Sequence, residues 1–140
     1  MKALVDRLGI KPNSRVCLIR PNPEVVAALR ESGMPVSLVD GVDGGCNIIL
    51  YWAVSQEGIG RELEILRHRI GHSGRIWVII PKKEAAEKRG ATLDWSVIQK
   101  QILEETDLVD NKVASIGEEE YGTQFVIRRS FMEKSAHIKK

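Results

Sequence analysis

Three short segments contain almost nothing but apolar side chains: VCLI at 16–19, NIILYWA at 47–53 and RIWVII at 75–80. A strand with one wet face alternates apolar and polar residues, so runs without alternation mark strands covered on both faces. Helices laid on each side of a sheet supply that cover, and helical patterns lie between the runs. Asn22 is a capping residue, Pro23 suits the first helical position, and Val25, Val26 and Leu29 give an apolar face. A second helix is expected over 58–70 with Leu63, Ile65, Leu66 and Ile70 facing inward, and a third, capped by Asp94, carries Trp95, Ile98, Ile102 and Leu103. Strands alternating with helices predict an α/β three-layer sandwich with a mainly parallel sheet and right-handed crossovers.

The remaining segments fill in this plan. Leu4, Val5 and Leu8 suit a short amphipathic helix, and 36–39 a short strand ending at Asp40. DGVDGG at 40–45 is turn chemistry. Gly71 and Gly74 bracket a further turn, and PKKEAAEKRGATL reads as a polar loop. KVASI, EEEYG and TQFVIRR then give two strands with a short connection, an antiparallel hairpin. The more apolar TQFVI is the interior strand and KVASI the edge.

A chain of 140 residues can bury a full core in one domain. We assign 1–130 to a single Rossmann-like domain and 131–140 to a basic C-terminal tail that can be disordered. Residues 128–140 hold five Lys/Arg against one Glu, within a net charge of +2. That tail lacks the extended basic stripe and interleaved aromatic residues of a nucleic-acid platform, so a solvated terminus is the expectation. The longest apolar run, 48–54, is too short to cross a bilayer, and the N-terminus has no secretory pattern, which predicts a cytoplasmic protein. Cys17 and Cys46 have no CxxC partner and are expected as reduced thiols packed as small apolar groups.

The order strand, helix, short strand with a terminal Asp, strand, helix, GRIWV strand, helix, hairpin resembles S-adenosylmethionine methyltransferases of the Rossmann-like class. LGIKP at 8–12, WVIIPK at 77–82, Asp94–Trp95 and the closing GTQFVIRR are similar to short bacterial proteins of unknown function with a truncated form of that fold. The resemblance implies a sheet of order 2-1-3-4-6-5 with the last strand antiparallel, and one strand–helix unit missing after Asp40. It also implies where a cofactor would lie, outside the strand ends between VCLI and NIILYWA.

At that position the turn RPNPE has no glycine. Pro21 and Pro23 have no N–H to offer, and Glu24 repels an anion at the helix start. Asp40 stands where many methyltransferases carry the acidic residue that holds the cofactor ribose, although Asp before Gly also begins ordinary turns. We therefore take Asp40, with Asn22 and Lys82, as candidate cofactor-binding residues; Asn22 is also a helix cap, and Lys82 also suits a solvated loop. The Asp/Asn/Ser-Pro-Pro-aromatic motif of nitrogen methylation is replaced by AVSQEG, which leaves no evident catalytic base. Glu64, His68 and His72 are spaced four apart, but Gly71 ends the helix before His72, so no metal site is assigned. Trp52, Trp77 and Trp95 are expected in the core.

The function expected is that of a non-catalytic cytosolic binding or interaction module on a degenerate methyltransferase-like scaffold, without cofactor. Its partner would be another protein or a second copy, with neither nucleic acid nor membrane. The alternative is a small-molecule enzyme, a methyltransferase if any, binding S-adenosylmethionine or a nucleotide in a remnant of the adenosine pocket.

Overall fold

A computed structural model of the protein describes residues 3–42, 44–90 and 93–128. In chain order the elements are α1 (Leu4–Arg7), β1 (Arg15–Ile19), α2 (Pro23–Glu31), β2 (Ser37–Asp40), β3 (Cys46–Trp52), α3 (Ile59–Arg67), β4 (Ile70–Pro81), α4 (Lys83–Arg89), α5 (Trp95–Glu105), β5 (Leu108–Ser115) and β6 (Glu120–Ile127). The six strands form one sheet of order β2-β1-β3-β4-β6-β5. Strands β1 to β4 are mutually parallel, and β6 runs antiparallel between β4 and β5. The basic tail, 131–140, lies outside the described residues.

The period-2 alternation of the buried strands sorts their side chains between two cores. Val16, Leu18, Ile48, Leu50, Trp77 and Ile79 pack with α1 and α2 on one face. Cys17, Ile49, Tyr51, Ile76, Val78 and Phe125 pack with α3 and α5 on the other. Trp77, at the centre of the sheet, is fully buried, and its indole N–H donates to the Leu8 carbonyl at 3.1 Å. That bond anchors the LGIKP segment under the sheet. Helices α3 and α5 touch through Gly60, where a Cβ would lie 3.0 Å from the Gln101 carbonyl.

The connection from β2 to β3 departs from the usual plan. These strands flank β1 on opposite sides and run parallel, so the chain must cross β1 and return to its starting end. Such crossovers ordinarily take a dozen or more residues, usually with a helix. Here only residues 41–45 are available. Gly41, Gly44 and Gly45 all adopt positive φ (83°, 81° and 83°), which glycine takes without steric cost. Val42 packs into the core on the Cys17 face, so the strap crosses β1 on that side. It delivers Cys46 beside Cys17, and the two form a disulfide with a Cα–Cα distance of 6.0 Å.

Reduced thiols were expected, and this pairing corrects that expectation. The proximity comes from the tight crossing, which no spacing motif announces. Four local expectations also change. Residues 83–89 form α4 rather than loop. Ile70 belongs to β4, not to the preceding helix. Gly71–Gly74 is an irregularity inside β4, whose register jumps from Cys46↔Ile70 to Ile48↔Arg75. Ile65 points outward, 58% exposed, because Leu63 and Leu66 already define the inward face of α3.

At the end of the sheet where the parallel strands begin, Arg67 in the last turn of α3 makes a paired contact with Asp107, at 2.7 and 2.9 Å. The guanidinium holds the Asp107 carboxyl below the usual carboxylate range, mainly through these hydrogen bonds. The pair's stabilisation is therefore complete above the unfolded pKa of about 3.9 and is lost as pH falls through the lower folded value. Arg67→Met should lower stability at pH 7 and make acid unfolding less steep in that window, measured by urea melts between pH 2 and 7.

Breaking the disulfide releases a closed loop with a sequence separation of 29. The chain-entropy relation gives about 3–4 kcal/mol for a loop of that size. The Cys17→Ala/Cys46→Ala double variant should melt lower by on the order of 10 °C. A reductant should shift the parent toward the variant and leave the variant unmoved.

Candidate functional site

In an open α/β sheet the ligand crevice lies at the carboxyl ends of the strands, where strand order reverses. Here that point lies between β1 and β3, and two side-chain networks occupy it.

The first centres on Arg20, directly after β1. Its φ is +55°, the left-handed region in which a glycine-rich turn would place glycine. Its Nε donates to the Trp52 carbonyl at 3.1 Å, its guanidinium lies 3.5 Å from a Glu62 carboxylate oxygen, and its Cζ sits 4.9 Å from the centre of the Tyr51 ring. Burial, followed by the hydrogen bond and charge of Glu62, pushes the Tyr51 phenol well above its ordinary value. Tyr51 thus stays protonated, and Arg20 lies across the end of β3.

The second network centres on Glu120, the first residue of β6. It is only 6% exposed despite standing in the run EEE. One carboxylate oxygen accepts from Asn22 Nδ2 at 2.9 Å and from the Trp52 indole N–H at 3.2 Å. The other lies 3.5 Å from Arg89, which also bonds Glu119 at 2.7 Å. A buried carboxylate is costly unless it is paired and hydrogen-bonded, and all three partners meet that need. The bonds join the start of α2, the end of β3, α4 and the start of β6.

The candidate residues from the sequence are not brought to one place. Asn22 caps α2 by accepting from the Glu24 N–H at 3.0 Å and donates to Glu120. Lys82 Nζ donates to the Ser115 hydroxyl and the Gly117 carbonyl, both at 3.0 Å, pinning the β5–β6 turn. Asp40 is exposed at the end of β2, beside a depression of about 350 Å³ with Leu18, Pro21, Pro23, Val26 and Arg30 on its walls. Asn22 instead borders a depression of about 440 Å³ that also holds Glu24, Glu118, Glu119 and Glu120. The roles of Arg20, Glu120 and Arg89 were missed. An isolated Arg and a run of glutamates read as solvated surface, and only the tertiary fold brings them together.

His68, the residue capping the end of α3, lies 3.1 Å from Glu64, and His72 lies on β4. Among the described residues no three of His, Cys, Asp or Glu gather as a metal site. Nor is any helix among them long and apolar enough to span a membrane. Trp52 and Trp77 are buried, and Trp95 is partly buried against Phe125.

The fold has solved counterparts. A chain from the complex of a Haloferax volcanii methyltransferase activator with a methyltransferase superposes with a TM-score of 0.61 at 10% identity, covering 89% of this chain and 86% of that one. The ribosomal protein L11 methylase of Lactobacillus delbrueckii subsp. bulgaricus gives 0.56 at 12% identity, covering 89% and 75%. The N-methyltransferase NodS of Bradyrhizobium japonicum gives 0.53 at 11%, covering 89% and 92%. The fold is methyltransferase-like. No protein-family model and no curated protein matches the sequence. On this methyltransferase-like sheet the residues present do not form a glycine cradle for S-adenosylmethionine. Arg20 takes the left-handed position, and Pro21 and Pro23 withhold their N–H groups.

Truncating Glu120 tests the second network. Glu120→Ala leaves the Trp52 indole and the Asn22 amide without their acceptor and should cost about 2–4 kcal/mol. Urea unfolding followed by tryptophan fluorescence measures this; Glu120→Gln, which keeps an acceptor oxygen, should cost less.

Proposed function

We propose that this protein is a non-catalytic binding module on a methyltransferase-like scaffold, working in the cytoplasm. The observation that carries the proposal is the closure of the strand ends by the chain's own side chains. Arg20 spans the end of β3 through Trp52 and Tyr51, and Glu120 knits α2, β3 and α4 to β6. A methyl donor entering there would have to displace a buried, fully bonded carboxylate and an engaged guanidinium. Glu120 borders the 440 Å³ depression, but its oxygens are already engaged by Asn22, Trp52 and Arg89, which supports binding rather than catalysis. Cytoplasmic thiol buffers keep most cysteines reduced, so the Cys17–Cys46 bridge would close there under oxidising conditions.

A second reading has its own support. The depression at Asp40 has apolar walls and a carboxylate at the end of β2, and the structures similar to this chain include a "SAM-dependent methyltransferase" from Corynebacterium glutamicum. An adenosyl group could sit against Leu18 and Val26 with its ribose on Asp40.

Thermal unfolding with millimolar S-adenosylmethionine, S-adenosylhomocysteine, NAD or ATP separates the two readings. The module should show no change in midpoint with any of them. A ligand at about 100 times its dissociation constant adds roughly 2.7 kcal/mol, a rise of several degrees. Such a rise with one adenosyl compound, abolished in Asp40→Ala, would establish the second reading in place of the first.

A further inference from the structure

The Cys17–Cys46 bridge joins two cysteines in unequal surroundings. Cys17 lies at the middle of β1, fully buried on the face that the strap from β2 to β3 crosses. Cys46 is the first residue of β3, retains 8% exposure, and borders two open depressions of about 330 and 360 Å³ at the starting ends of the strands. Its flanks add little cover. Gly44 and Gly45 precede it, and Gly71, which borders both depressions with it, has open space where a Cβ would stand.

Both cysteines are held in place by bonds other than the bridge. The Cys46 N–H donates to the Arg69 carbonyl at 2.8 Å, which ties it to the entry of β4. Cys17 sits in register between Val39 and Ile49 through the ladders on either side of β1. The Gly45 carbonyl oxygen lies 3.8 Å from Cys17 Sγ. A disulfide sulfur has no hydrogen to give, so that contact becomes a hydrogen bond only when Cys17 is a thiol. Opening the bridge therefore leaves two thiols facing each other across a folded sheet, with an acceptor ready for the buried one.

We propose that Cys17 and Cys46 form a thiol–disulfide switch, in which Cys46 exchanges with small thiols of the glutathione type and Cys17 is the resolving partner. The proposal rests on the cytoplasmic setting proposed above, where disulfides are rare and those present are usually transient, catalytic or redox-sensing. It is independent of what the strand ends bind. Exchange falls on Cys46 because the rate depends on access to the sulfur as well as on thiolate character. In closing, the Cys46 thiolate attacks oxidised glutathione, a mixed disulfide forms on Cys46, and one glutathione leaves as its thiolate. Cys17 gives up its proton and attacks Cys46 Sγ, and the second glutathione leaves. Two protein thiols are thus oxidised by two electrons while one glutathione disulfide is reduced to two thiols. In opening, a glutathione thiolate attacks Cys46 Sγ, and Cys17 departs and takes up a proton. A second glutathione thiolate then attacks the bound glutathione sulfur and frees Cys46.

The test uses the full chain, reduced, freed of reductant and placed in buffers of reduced and oxidised glutathione at neutral pH. Acid quenching, alkylation and mass spectrometry then separate bridge, mixed disulfide and free thiol. The bridge should close and reopen with the ratio of the two glutathione forms, in protein that circular dichroism shows to be folded. In Cys17→Ala a glutathione adduct should accumulate on Cys46. In Cys46→Ala the adduct on Cys17 should form at least about tenfold more slowly, a difference that urea abolishes. A substoichiometric pulse of iodoacetamide on the reduced parent, followed by peptide mapping, reads the same order without any substitution and should label Cys46 first. Equal labelling of the two cysteines, or faster labelling of Cys17, would overturn the assignment of roles. A bridge that glutathione opens only in urea would overturn the switch and leave a permanent crosslink. So would a dithiol that stays open in folded protein under excess oxidised glutathione. None of these outcomes bears on the binding readings, since no adenosyl ligand takes part.

Discussion

The passage of five residues from β2 to β3 governs this structure more than any other connection. Two parallel strands on either side of a third cannot be joined by a hairpin, and a helix cannot be built from five residues. The chain resolves the problem with three left-handed glycines, one apolar side chain turned into the core and a covalent bond to the strand it crosses. Because β1 is thereby fixed between its neighbours, the reversal of strand order still occurs at its end. The methyltransferase-like sheet is retained although a strand–helix unit is missing.

What stands at that reversal has nevertheless changed. In a nucleotide-binding fold, the turn after β1 offers main-chain N–H groups and little side chain. Here the turn offers a guanidinium, two prolines and a capping asparagine, and each engaged side chain is satisfied within the chain itself. Glu120 shows how far this goes. Its desolvation is offset by an indole, an amide and a guanidinium drawn from three separate elements, which makes the strand ends a point of stability. Sheet topology and ligand site are thus separable properties: the same order of strands can carry a glycine-lined turn or one occupied by engaged side chains.

Much of the architecture was legible because it rests on local rules. The unalternating apolar runs announced strands covered on both faces, Asn22 and Asp94 cap their helices as their positions suggested, and the final hairpin forms, although it turns at 116–119 and Glu120, Tyr121 and Gly122 of the expected EEEYG connection belong to β6. The sheet order followed from the resemblance. Features set by tertiary geometry were not legible. Cys17 and Cys46 meet because of the strap, not because of their spacing. Helix α4 was hidden since only Ala85 of its seven residues is buried, leaving no apolar periodicity to read, although Glu, Ala, Lys and Arg are good helix formers. Glu120 looked like part of a solvated acidic run because the indole and amide that bury it come from 68 and 98 residues away.

The Glu120 network also sets how the strand ends can move. One buried carboxylate ties the start of α2, the end of β3, α4 and the start of β6 together. If any one of these elements loosens, the carboxylate is left short of a partner while still out of water. Local opening there therefore involves all four elements at once, as one cooperative unit and not as four independent frays.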